Sequence, residues 1–147
     1  MTLPDQVLTE EKRPKVVADC QVLLEGQVAS KRGMSGFAVK TGFKVVKKMN
    51  GGRLIPKAIN DLLPEFTEAM EPFHARFRAS DSPSFAAFSR GQEAALAAAL
   101  LAVTDGKAAH AKNAVLKGVY NKLRPAAQRH IEVAIPELTA LIDRHWE

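Results

Sequence analysis

Apolar residues along the chain recur at intervals of three and four, the period of a helix with one buried face. Val16, Cys20, Leu23, Leu24 and Val28 predict a first long helix that begins at Pro14, a residue suited to an opening turn. It should stop near Lys31-Arg32-Gly33, where Gly33 is free to take a left-handed cap. Ser35 is then the expected N-cap of a second helix running to about Met49. On it Val39, Phe43, Val45, Val46 and Met49 share one arc, and Lys40, Lys44, Lys47 and Lys48 share the other. Asn50-Gly51-Gly52 ends that helix, because Asn and Gly supply positive φ. A third begins at Leu54-Ile55-Pro56 with the stripe Ile55, Ile59, Leu62, Phe66, Met70, Phe73 and Phe77. Pro64 and Pro72 lie inside that stripe; an interior proline removes one backbone bond, which predicts a kink near Leu63 within one helix.

The plan then repeats. Pro64-Glu65-Phe66-Thr67 returns as Pro136-Glu137-Leu138-Thr139, with apolar pairs ahead of both copies. A helix is expected over 84–103, a turn at Thr104-Asp105-Gly106 in the place of Lys31-Arg32-Gly33, and a helix over 107–123. A last helix starts near Pro125, with Ile131, Ile135, Leu138, Ile142 and Trp146 inward and a kink at Pro136. The fold expected is all-α: one domain, a compact six-helix bundle of two similar three-helix units, 15–79 and 84–147, made by internal duplication. Residues 1–14, with Pro4 and Pro14, read as an N-terminal arm or a short turn. Each unit is too small to bury a sufficient core alone.

Composition adds little to this beyond class. Hydrophobic residues make up 46% and charged residues 25%, as in globular proteins. One cysteine rules out an intrachain disulfide framework. The start lacks the basic and apolar regions of a signal peptide, and no apolar run reaches membrane-spanning length, so a cytoplasmic location is the expectation.

Charge changes the picture more, through its placement. From Gly26 to Asn60 there are eight Lys or Arg and no acid; from Gly106 to Ile131 there are six and again no acid. Such segregation creates a field that suits an acidic protein, nucleic acid or an anionic lipid surface. Lys31, Arg32 and Ser35, at the start of the second helix, have the makings of an anion site, and Lys40, Lys44, Lys47 and Lys48 continue the basic surface. The lysines of 107–123 fall at intervals of five and so scatter around their helix. Aromatic residues are not interleaved with these cations, which argues against base stacking.

Other candidate chemistry is weaker. Glu71-x-x-His74 has the spacing of a di-iron half-site, but there is no second Glu-x-x-His, and His74 reads as a helix-edge residue. His110, His130 and His145 are dispersed, which defines no zinc site. Cys20 reads as a small core residue. No nucleophile elbow, phosphate-binding loop or dinucleotide fingerprint is present. No catalytic residue, metal or cofactor is therefore expected.

The segments 36–48, Gly-Phe-Ala-Val-Lys-Thr-Gly-Phe-Lys-Val-Val-Lys-Lys, and 59–66, Ile-Asn-Asp-Leu-Leu-Pro-Glu-Phe, resemble a group of small, uncharacterised all-helical bacterial proteins. That resemblance implies a helical fold and no activity. The functional expectation is a non-enzymatic binding protein whose basic surface meets an acidic partner. Two alternatives stand beside it: a bundle splayed at Pro64 and Pro136 to hold a lipid-like molecule, and a structural homodimer, one form of homo-oligomer, joined through the Ala-rich face of 84–103.

Overall fold

The computed structural model describes residues 1–146, and among them it contains seven α-helices and no strand. These are α1 (Leu3–Val7), α2 (Arg13–Ser30), α3 (Gly33–Lys48), α4 (Leu54–Arg78), α5 (Phe85–Phe88), α6 (Glu93–Ala109) and α7 (Ala114–Trp146). The punctuation expected in the first half is present: Gly33 has φ +75, and Asn50, Gly51 and Gly52 all have positive φ in the 3-10 turn that joins α3 to α4.

Seven helices in place of the expected six reflect three differences, two that add a helix and one that removes one. The N-terminal arm is α1, a core element: Leu3 and Val7 are buried, and Thr2 caps the helix in a reciprocal capping box with Asp5. The expected helix over 84–103 is divided, because Gly91 turns left-handed between α5 and α6. The expected turn at 104–106 stays helical inside α6, and the reversal comes later, where the Asn113 side chain accepts the amides of Val115 and Leu116 and starts α7. From there the chain runs through Pro125 and Pro136 without a break, so 107–123 and 125–146 are not separate helices.

α4 and α7 are the long members, and the other helices pack around them. Met70, Ile135 and Ile142 meet Leu3, Val7, Phe85, Leu96 and Leu100 in the larger core cluster; a second gathers Val16, Leu63 and Leu141 with Cys20 and Leu23. The buried stripe of α4 includes Leu63, Thr67 and His74, with Leu62 displaced to its edge.

Both interior Pro-Glu-x-Thr segments stay helical, and each carries a threonine hydrogen bond to the preceding turn. Pro64 has no amide proton for the Asn60 carbonyl, four residues back, and the Arg13 guanidinium donates to that carbonyl at 2.9 Å while its Nε donates to Asn60 Oδ1 at 2.8 Å. Buried Thr67 donates to the Leu63 carbonyl at 2.8 Å, and buried Thr139 to the Ile135 carbonyl at 2.9 Å.

Candidate binding face

Two glycines set how α3 sits. Gly36 is pressed on the backbone of Lys31, where an added Cβ would lie 2.8 Å from the Lys31 carbonyl carbon. Gly42 lies against α7, where a Cβ would be 2.9 Å from Val119. This seating turns Val39, Phe43 and Val46 toward the body and leaves a second apolar arc outside. Met34 is 91% exposed, Phe37 73% and Val45 43%, so Val45 lies on the outer arc and not on the inward arc expected for it. At 100° per residue that outer arc adjoins the one carrying Lys40, Lys44 and Lys47.

Between α3 and α7 runs an apolar groove of about 360 Å³, lined from α3 by Met34, Phe37, Gly42 and Val45 and from α7 by Val119, Lys122 and Leu123. The two acid-free stretches of sequence thus lie side by side. Among the described residues Arg32, Lys40, Lys44, Lys48 and Lys122 have no carboxylate within ion-pairing distance; Lys47 reaches Glu25 at 3.9 Å. Lys117 turns the other way, to a separate groove beside Leu62 and Tyr120, and Lys107 is paired with Glu65 at 2.5 Å.

The start of α3 differs from the expected anion site. Lys31 is buried, donates to Gln27 Oε1 at 3.1 Å, and burial lowers its pKa against the opposing pull of Glu137. The N-cap is Arg32, with no side-chain cap bond, and Ser35 is an exposed first-turn residue. Lys31 is thus turned inward, while Arg32 and Ser35 remain exposed. Lys40, Lys44 and Lys48 fall in one row along successive turns of α3, and Lys122 of α7 lines the groove on the flank of that helix.

Away from this face many polar groups are paired, while His74 Nε2, Ser89 Oγ and His130 Nε2 are buried without a hydrogen-bond partner. His74 is fully buried, not at a helix edge, with its ring 4.4 Å from Trp146, 4.8 Å from Phe85 and 5.1 Å from Phe77. Arg78 stands 2.5 Å from its Nδ1; a guanidinium only donates, so Nδ1 accepts and the ring proton sits on Nε2. Burial, then the Arg78 charge, lower the His74 pKa to about 4. Glu71 is held by Arg78 and by the Leu3 amide at 2.7 Å, which occupies the carboxylate of the Glu-x-x-His pair. Asp143 accepts the amides of Phe85 and Ala86, opening α5. Burial raises Cys20 to about 11, with Asp19 adding to it, so its thiol is protonated at neutral pH. Among the described residues no cluster of His, Cys, Asp or Glu is placed to hold a metal ion, and no helix is long and apolar enough to cross a membrane. The internal space beside Leu63, Thr67 and Leu138 measures about 20 Å³, room for one water, and the larger hollows are surface grooves.

Sequence periodicity shows the lysine arc of α3 but not its exposed apolar arc. Two apolar arcs on one helix look alike from spacing alone; the sign that separates them is Gly36 and Gly42, small residues where neighbouring backbone and side chains come close. Comparison with curated proteins and with solved structures finds no match. Residues 3–146 match the model of a family of unknown function, DUF6918, and the chain belongs to that family.

Proposed function

We propose that this protein is a non-enzymatic binding module whose α3–α7 face receives an acidic partner. One observation carries the reading: unpaired Lys40, Lys44, Lys48 and Lys122 border an exposed apolar arc, in a region whose two chain segments contain no acid. Charge of one sign draws a partner in over distances near the Debye length, about 8–10 Å at moderate salt, and adjoining apolar surface holds it after contact. The protein should be retained on a heparin column at low salt and released as salt rises. Lys40→Glu, Lys44→Glu and Lys48→Glu together should abolish retention with circular dichroism unchanged; retention equal to the parent's would eliminate the face. Lys47 is left in place because of its contact with Glu25.

We also infer that the chain arose by doubling a helical unit, with α1 and α5 as counterparts. In support, Thr67 and Thr139 bond alike, and Thr2 and Ser84 cap the two short helices alike. Glu71 and Asp143, at matching places after the Pro-Glu-x-Thr segments, each accept the first amide of such a helix. Superposing 63–74 on 135–146 should carry α1 onto α5, and a clear miss would sink the inference.

A further inference from the structure

We propose that the acidic partner is an anionic bilayer surface, on which α3 lies flat while Met34 and Phe37 enter the boundary between head groups and acyl chains. This rests on the reading of the α3–α7 face given above and assigns its partner.

Shape decides first. Met34 and Phe37 line the α3–α7 groove and are nevertheless 91% and 73% exposed, so most of each side chain stands clear of the protein. Protruding apolar side chains beside a basic arc are what an interfacial helix presents to lipid, its apolar edge buried by about 5–10 Å and its lysines at head-group level. A partner helix would draw its hold from within the groove beside α3, whereas Met34 and Phe37 leave most of their surface outside it. A single-stranded nucleic acid would call for stacking platforms among the cations, and among the described residues Phe37 is the one aromatic side chain exposed on this face.

Charge points the same way. Arg32, Lys40, Lys44, Lys48 and Lys122 have no carboxylate partner among the described residues and come from two helices, so the positive field is spread over a face and not gathered at a point. An anionic leaflet is a spread charge of the opposite sign, and each cation brought near it raises the partition coefficient about fivefold. α3 has 16 residues and therefore extends about 24 Å along such a surface.

The test is co-sedimentation of the full chain with lipid vesicles at about 0.1 M salt, where charges within about 10 Å still act. Phosphatidylcholine vesicles are compared with vesicles containing about one-third phosphatidylglycerol, an anionic lipid. Binding is expected to the anionic vesicles and not to the neutral ones, and the triple lysine reversal should remove it. Met34→Ser with Phe37→Ser, both at exposed positions and so neutral for folding, should weaken vesicle binding by about tenfold or more and leave heparin retention unchanged.

Equal vesicle binding by the Met34 and Phe37 double variant would overturn the proposal, since adsorption would then be by charge alone. Failure of the parent protein to bind anionic vesicles would also overturn it. If heparin retention still depended on the lysines in that case, the basic-face reading would survive; if it did not, both would fall. Binding of an acidic amphipathic peptide in preference to vesicles, with the same need for Met34 and Phe37, would transfer the face to a protein partner.

Discussion

His74 joins a proton to the stability of the whole fold. Its ring is neutral among Phe77, Phe85 and Trp146, with a folded pKa near 4 against an ordinary value of 6.5. As pH falls through this interval the unfolded chain takes up a proton that the folded one refuses, so stability is complete above about 6.5 and declines toward 4. Between pH 7 and 5 the loss should be about 2 kcal/mol, read from urea midpoints. His130, lowered by burial and then by Lys31 and Arg129, adds in the same direction. His74→Phe should shrink the difference between the two pH values; an undiminished difference would place its origin elsewhere. Nothing in the spacing Glu71-x-x-His74 announces this role, because burial comes from α5 and Trp146, brought in from the far end of the chain.

Helices hold here through bonds that propensity does not foresee, and Arg13 shows the point. It supplies the donor that Pro64 lacks, so Arg13→Met should cost about 1–2 kcal/mol by leaving the Asn60 carbonyl without a protein donor. In a Pro64→Ala background the new amide takes over part of that role, and the cost should fall by about 1 kcal/mol. Equal costs in both backgrounds would show that the guanidinium does not serve the proline. Glycines give a second contrast. Gly26 sits within α2 with nothing near its missing Cβ, so Gly26→Ala should stabilise by up to about 1 kcal/mol. Gly36→Ala drives a methyl into the Lys31 backbone and should destabilise by about 1–2 kcal/mol, both read by thermal melts. The sequence made α2, α3 and α4 legible because Gly33 and Asn50-Gly51-Gly52 turn where the chain must reverse. It misplaced the turn before α7 because Asp105 is held within the helix by Tyr120 and Arg124, long-range contacts that outweigh the local turn chemistry of Thr-Asp-Gly. Pro125 does not end a helix, since one interior proline costs less than α7 gains by packing along α6 and α3.

Across the whole molecule the net charge of +5 conceals a separation, because fourteen of the 21 Lys and Arg lie in two acid-free stretches while the acids lie outside them. Association through the α3–α7 face should therefore slow steeply as salt rises, measurable by stopped-flow mixing with anionic vesicles; a rate indifferent to salt would deny the field any part. The lysine pattern was readable in sequence, whereas the meeting of the two stretches required α7 to run alongside α3. The placing of α1 has a consequence for how the protein is made. Leu3 and Val7 close a core whose other walls include Ile135 and Ile142 of α7, so α1 leaves the ribosome long before the helix that completes its core. Until α7 emerges, Met70, Phe73 and Phe77 lack their cover, and a nascent chain stalled within that helix should be protease-sensitive and held by chaperones. Completion of α7 should end both conditions together.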